Sequence, residues 1–338
     1  MKQSSLISID LAKNVFQLGI IDSNWKVIKN AQISRKALPE FMIQQPQSEV
    51  VMEACYSSHY WARVFTSMGH LVHLIPAQHV KPFVIGDKSD RNDVIAIAEA
   101  SRRPRVKFVP IKTIDQMEIQ SLHRVRDRVV RLRTGLVNQI RGLLSEHGVI
   151  TAQGLSSFHE LLKQLVQPDN SELPPILKVL VQDSATEYAQ LSERIRIYNN
   201  QLARIANTHP FCKLLMSIPG IGYINATAIV CMIGDGSQFA NGREFAVWLG
   251  ITPKQSGSGE KTYRMGISKR GNRYLRKQLI HGARSLMFRS TKRKDKLSQW
   301  VNNLRARRGA NKAAVALANK LARIIWIMLQ KKVNYQPA

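Results

Sequence analysis

The stretch SLISIDLAKNVFQLGIIDSNWKVIKNAQIS, near the start of the chain, alternates apolar and polar side chains in three short runs. A period of two marks strands with one buried face, and Asp22-Ser23-Asn24 supplies a turn between two of the runs. Three antiparallel strands are therefore expected. SEVVMEAC reads as a fourth, more buried strand. HYWARVFTSMG reads as a helix closed by Gly69, HLVHLIPA as a fifth strand, and RNDVIAIAEASRR as a second helix. The order β-β-β-β-α-β-α gives a mixed sheet with helices packed on it, an α/β domain over residues 1–108.

From about residue 112 the period changes. IDQMEIQSLHRVRDRVVRLRTGLVNQIRGLLSEHG keeps helical spacing over a long run, with Gly148 as a stop, and PILKVLVQDSATEYAQLSERIRIYNNQLARIA repeats the pattern. The turn-rich VQPDNSELPP lies between them. Two long helices joined by an irregular segment suggest an antiparallel arm or coiled coil over 109–208. The remainder, 209–338, reads as a mainly α-helical domain: helix, tight turn and helix in LLMSIPGIGYINATAIVCMIG, then a glycine-rich loop SGSGEK, then basic helices.

Charge narrows the function. Residues 201–338 hold 25 Lys and Arg against 4 Asp and Glu, whereas residues 1–100 hold 10 against 9. A surplus of that size repels itself unless a polyanion neutralises it, and nucleic acid is the default partner. An anionic membrane is the rival, but no suitable anchor is legible. AAVALANKLARIIWIML is broken by Lys320 and Arg323 and reads as a half-buried helix. Cys55, Cys212 and Cys231 are too scattered for a zinc site or a disulfide framework, which fits a reducing cytoplasm. Asp10 and Lys13 come too early for a secretory leader.

Four acids stand at informative places. Asp10 ends the first strand and Glu53 the fourth. Asp90 and Asp93 lie three apart at a helix start and so face the same way. Carboxylates at strand ends against apolar neighbours are costly without compensation, and a hard cation with oxygen ligands, Mg2+, would supply it. Taken singly, each acid is more often a turn residue or a helix cap than a catalytic group. Their joint appearance, in the order of a ribonuclease-H-like sheet, favours a metal site. His70 and His73 have no matching partner and are expected to face solvent or pack.

IPGIG at 218–222 has the form of a helix-hairpin-helix turn. Pro219 and Gly220 make the turn, and Gly222 leaves backbone N–H groups free for a phosphate at a helix N-terminus. An ordinary helix connection would need glycines too. Arg124, Arg126, Arg128, Arg131 and Arg133 offer a nucleic-acid-binding stripe on the arm, and Arg273 and Arg276 extend the basic run beyond SGSGEK.

Together, SIDLAKNVFQ, MEACYSSHYW, GDKSDRNDVIAIAEA, SIPGIG with FAVWLGITPKQ, and GISKRGNRYLRKQLIHGAR resemble the DEDD insertion-sequence transposases over nearly the whole chain. These are Piv-like DNA recombinases with a RuvC-like domain, guided by a bridge or seeker RNA. The resemblance implies a RuvC-like nuclease fold, a coiled-coil arm and a C-terminal transposase domain. It implies Asp10, Glu53, Asp90 and Asp93 as the metal-binding catalytic tetrad. It also implies a serine nucleophile in a Ser-Gly segment between TP and ISK. Spacing from Pro253 and from Ser268-Lys269 favours Ser258 over Ser256. Lys261, Arg264, Lys269 and Arg270 would neutralise the phosphate. The partners implied are DNA, a non-coding guide RNA and further copies of the chain, as a homodimer or homotetramer, with the active site completed only in the assembled complex. Two other readings remain at this stage: a structure-selective nuclease that uses water, and a non-enzymatic nucleic-acid-binding protein whose acids are caps.

Overall fold

The computed structural model describes residues 6–87, 89–167, 173–258 and 261–337; of 258, 261, 262 and 264 it describes the backbone alone. The chain divides into two compact units, residues 1–113 and 114–338.

The first unit is built on strands β1 Leu6–Asp10, β2 Val15–Ile21 and β3 Val27–Ser34, helix α1 Leu38–Ile43, and strand β4 Glu49–Glu53. Helix α2 Ser58–Ser67, strand β5 Leu71–Ile75, and helices α3 Ala77–Val80 and α4 Asp90–Ser101 complete it. The sheet order is β3-β2-β1-β4-β5. β1 pairs antiparallel with β2, and β2 with β3. β4 runs parallel to both β1 and β5.

The period-two pattern explains the layers. Ile7, Ile9, Val50 and Met52 join Trp61 and Phe65 of α2 in one core. Leu6, Val51 and Ile75 join Ala96, Ile97 and Ala100 of α4 in another. Both faces of β4 are thus covered, which is why VVM reads as an unbroken apolar run. Helix α1 was not expected; Leu38 and Met42, four apart, bury its inner face, and a proline lies in its first turn. Val109 bridges to Leu74, so the chain stays on this unit past residue 108.

The second unit begins with α5 Ile114–Ser145, α6 Leu155–Leu165 and α7 Pro175–Thr208. Helix α6 replaces part of the irregular connection expected there. Phe158, Leu162 and Leu165 give it one buried stripe against the long helices. Helices α5 and α7 run antiparallel: Arg126 Nε donates to Asn199 Oδ1 at 2.6 Å and Arg133 Nη1 to Ser192 Oγ at 3.4 Å. The buried residues of α7, Leu177, Val181, Tyr188, Leu191, Ile195 and Leu202, recur at intervals of three, four or seven.

Next come α8 Pro210–Met216, α9 Tyr223–Ile233, α10 Gly242–Trp248, β6 Pro253–Ser258, β7 Lys261–Ile267, α11 Arg273–Arg289, α12 Lys296–Arg308 and α13 Ala310–Lys331. One observation corrects the sequence reading here, and a second bears out the half-buried helix. SGSGEK is not simply a loop: residues through Ser258 and from Lys261 form an antiparallel β6–β7 hairpin within an otherwise helical region. Helix α13 is long and apolar enough by composition to cross a bilayer, and half of that stretch is buried in the core it shares with α8 to α12.

Helix α5 is pinned to α9 and α11 by a buried polar triad. His123 of α5 is 1% exposed and sits 2.9 Å from the Tyr274 hydroxyl and 3.0 Å from Thr227 Oγ1. Thr227 gives its own proton to the Tyr223 carbonyl at 2.6 Å. It therefore accepts from His123 Nε2–H, and Nδ1 accepts from Tyr274. Burial and then the Arg126 charge push the imidazole down to about 4, so it is neutral at physiological pH.

Candidate active site

Asp10 projects from the end of β1, and its neighbour across the sheet in β2 is Gln17. Asp90 and Asp93 occupy the first turn of α4, capped by the Ser89 hydroxyl, which accepts from the Asn92 N–H. Oxygens of Asp10, Asp90 and Asp93 lie within 4.8 Å of one another. Glu53, at the end of β4, is outside that triple but close enough for its charge to act on Asp10 and for Asp93 to act on it.

The electrostatics are those of an acidic cluster under mutual repulsion. Burial, then Asp93, Asp90 and Glu53, push the Asp10 carboxyl up to about 6. Burial and then Asp93 raise Glu53 as well. Among the described residues, no Lys, Arg or His forms an ion pair with any of the four. An all-oxygen donor set on three rigid elements, held together against its own repulsion, fits a hard divalent cation. Cys55, close behind Glu53, is pushed up to about 11 by burial and then by Glu53 and Asp10, so its thiol stays protonated.

Residues that the sequence reading passed over bring α4 to Asp10. Gly19 of β2 faces the helix: a Cβ there would lie 2.4 Å from Val94 Cγ1 and 2.8 Å from Ser8 Oγ. Only a residue without a side chain lets α4 lie that close to β1 and β2. Gln17, 3% exposed, donates to Asn30 Oδ1 at 2.6 Å, and Asn30 Nδ2 donates to the Arg91 carbonyl at 3.1 Å. This chain of bonds holds the turn of α4 that carries both aspartates. The legible signal was a glutamine inside the apolar run VFQLGII.

The other expected site residues fall in the second unit. In the 218–222 turn, Gly220 has φ +87°, and a Cβ on it would lie 2.6 Å from the Gly282 carbonyl of α11. Its glycine is thus explained by packing on α11. Gly222 is exposed at the start of α9, with open space where a side chain would be and no side-chain cap on the helix. Pro219, just before Gly220, is half-buried.

Ser256 is exposed on β6, opposite Tyr263. Ser258 pairs with Lys261 through the backbone. The side chains of Ser258, Lys261 and Arg264, and all of Gly259 and Glu260, lie outside the described residues. Lys269, in the left-handed region at φ 55°, Arg270 and Arg273 are exposed. Arg276 is not a free cation: its Nη1 donates to the Leu249 carbonyl at 2.9 Å.

The arm stripe also divides. Arg126 and Arg133 turn inward to α7. Arg124, Arg128 and Arg131 are exposed at positions four and three apart, on one face of α5, with Arg131 3.5 Å from Asp127. His70 and His73 pack. The Ser48 N–H donates to His70 Nδ1 at 3.3 Å, and the His73 ring stacks on Phe108 at 4.2 Å.

Comparison with known proteins places this geometry. Residues 212–299 match the family described as Transposase IS116/IS110/IS902 family, and residues 7–148 match a DEDD transposase family of the IS110 type. A "Probable family 20 transposase" of Pseudomonas aeruginosa is 42% identical over 98% of this chain and 99% of the relative. The transposase for insertion sequence element IS1111A of Coxiella burnetii is 41% identical over 99% of this chain and 92% of the relative. The transposase for insertion sequence element IS1328 of Yersinia enterocolitica is 37% identical over 97% of each.

Proposed function

The chain belongs to the IS116/IS110/IS902 family of transposases, enzymes of DNA strand transfer, and on that premise we propose how its own residues perform the transfer. Asp10, Glu53, Asp90 and Asp93 hold Mg2+. The observation that carries this reading is the acidic cluster itself, three carboxylates within 4.8 Å and a fourth in their field, with no cation paired to them among the described residues. When bound there, the ion supplies charge neutralisation at the scissile phosphate and acidifies the attacking oxygen.

The nucleophile is the Ser258 hydroxyl, with Ser256 the alternative. Its attack on phosphorus forms a serine–phosphate ester and breaks the bond to one DNA oxygen, which leaves with the proton. Support comes from the Ser-Gly pairs between TP and ISK and from the exposed Lys269, Arg270 and Arg273 that follow them in the chain. A serine hydroxyl needs activation at neutral pH, and the acidic site is the chain's source of it.

Target choice is delegated to pairing with a guide RNA, which the exposed Arg124, Arg128 and Arg131 of the arm contact through its backbone. The 218–222 turn, a helix-hairpin-helix, holds the DNA backbone at Gly222. Residues 109–208 and 209–338 then act as RNA-binding coiled-coil arm and DNA-handling part, in an assembly of two or four chains.

The test is a covalent trap. Protein incubated with DNA, its cognate RNA and Mg2+ is denatured, and the adduct is mapped by mass spectrometry. A phosphodiester adduct on Ser258 is expected. An adduct that survives Ser258→Ala but not Ser256→Ala moves the role to Ser256. Cleavage without any adduct makes the enzyme a nuclease that uses water. Sequencing the nucleic acid that co-purifies with the protein tests the guide: absence of a discrete RNA removes it.

A further inference from the structure

The segment Cys55–Trp61 leaves the catalytic end of β4 in an unusual way. Ser57 lies in the left-handed region at φ 62°, a conformation that a residue with a side chain seldom adopts. Its hydroxyl is buried and has no hydrogen-bond partner. Strain of this kind persists where the surroundings over-determine it, and it gathers at functional sites. Two large aromatic rings of the segment stand in solvent. Tyr56 is 74% exposed and Tyr60 50% exposed. Tyr56 follows directly on Cys55, which lies within the field of both Glu53 and Asp10.

Tyr60 stands on a rigid base. Tyr60 packs edge-on against Trp61, centroids 5.1 Å apart, and Trp61 is 3% exposed, stacked on Phe65. Arg35 lies over the Trp61 ring at 5.2 Å, and its Nη1 reaches 3.5 Å from the Lys13 carbonyl, in the loop that follows Asp10. Among the described residues Arg35 forms no ion pair with a carboxylate. Lys13 is exposed. Lys13 and Tyr56 lie three residues past Asp10 and Glu53, and Arg35 and Tyr60 join them through the Lys13 carbonyl and Trp61, so two aromatic rings and two cations gather at the end of the sheet on which the acidic strands stop. An acidic cluster alone repels a phosphodiester backbone. Aromatic faces with cations beside them are the usual means of holding a single strand, because every base has a π-face and every nucleotide a phosphate.

We propose that Tyr56 and Tyr60 are a stacking platform for an unpaired DNA nucleotide next to the scissile phosphate, with Lys13 and Arg35 on the flanking phosphates. The inference rests on the metal-site reading above. It adds that the substrate enters this site as locally unpaired DNA, so a fully paired duplex is bound less well here than a strand with a free base.

The experiment uses the full chain and an oligothymidylate of about twelve nucleotides that carries one 5-iododeoxyuridine, with a duplex of the same length as comparison. Irradiation is expected to attach the oligothymidylate to Tyr56 or Tyr60, mapped by mass spectrometry, and the duplex much less. Binding is then measured at about 0.5 M salt, where phosphate contacts are largely screened and stacking is retained. Tyr56→Ala should weaken oligothymidylate binding there roughly tenfold, Tyr56→Trp should restore it, and the slope of log affinity against log salt should not change. Lys13→Gln should instead lower that slope. Adducts confined to other peptides, or unchanged high-salt affinity in Tyr56→Ala, overturn the platform. Asp10→Asn separates the two ideas. Loss of cleavage with the tyrosine adduct retained upholds both; cleavage retained in Asp10→Asn sinks the metal-site reading alone.

Discussion

At the scale of single residues, two titrations give opposite pH signatures. Asp10 is raised to about 6 by burial and by its acidic neighbours. A carboxyl raised on folding binds more protons in the folded state than unfolded, so the metal-free fold loses stability as pH rises from about 4 to about 6. A bound cation should reverse that loss. We expect Mg2+ to raise the melting temperature at pH 7.5 and to do so less below pH 6. Asp10→Asn should melt higher than the wild type in EDTA, where the repulsion is gone, and should lose the response to Mg2+. A variant that melts lower in EDTA would show that Asp10 stabilises the fold rather than straining it. His123 works the other way. Its ring is held neutral, down to about 4, so its contribution is complete above pH 6.5 and is lost as pH falls toward 4. Replacing it with Ala leaves the Tyr274 and Thr227 groups without their partner and opens a cavity. Denaturant unfolding should report a loss of about 3 kcal/mol.

At the scale of elements, the site depends on how closely one helix lies on two strands. The hydrophobic pattern of RNDVIAIAEASRR specifies a helix, but its distance from Asp10 is set by the missing side chain of Gly19. Gly19→Ala should cost about 1–3 kcal/mol through overpacking against Val94. It should also weaken Mg2+ binding by more than that stability loss explains, because Asp90 and Asp93 move away from Asp10. Calorimetric titration of the folded variant checks this: unchanged metal affinity would mean that α4 holds its place by other contacts. Gly220 and Gly282 show the same device between the 218–222 turn and α11, each lying against the other's carbonyl.

At the scale of the whole molecule, charge dominates. A net charge of +27, concentrated in residues 201–338, implies many phosphate contacts. If about six form, affinity for nucleic acid should fall by roughly 10³-fold between about 50 and 200 mM salt. A filter-binding or anisotropy series measures the slope; a flat response would give the charge another purpose. Without nucleic acid, the same salt increase should raise the melting temperature by relieving self-repulsion.

Much of this was legible in the chain itself, because alternation and helical spacing are local. Period-two runs gave the strands of the sheet, the long apolar periodicity gave α5 and α7, and the acids could be placed at strand ends and a helix start from their neighbours alone. What escaped was whatever depends on a partner distant in sequence. Short helices such as α1 and α6 are marginal alone and form because Leu38, Met42, Phe158 and Leu162 find a core to bury in. The SGSGEK segment has too many small polar residues to declare itself a strand, and it is one only because 253–258 pairs with 261–267. Arg126, Arg133 and Arg276 are indistinguishable in sequence from their exposed neighbours, yet each is turned inward by an acceptor on another element. The sequence determined which groups carry charge and which segments fold; only the tertiary structure decided which of those groups meet, since burial and hydrogen-bond partnership belong to pairs of residues, not to positions in a chain.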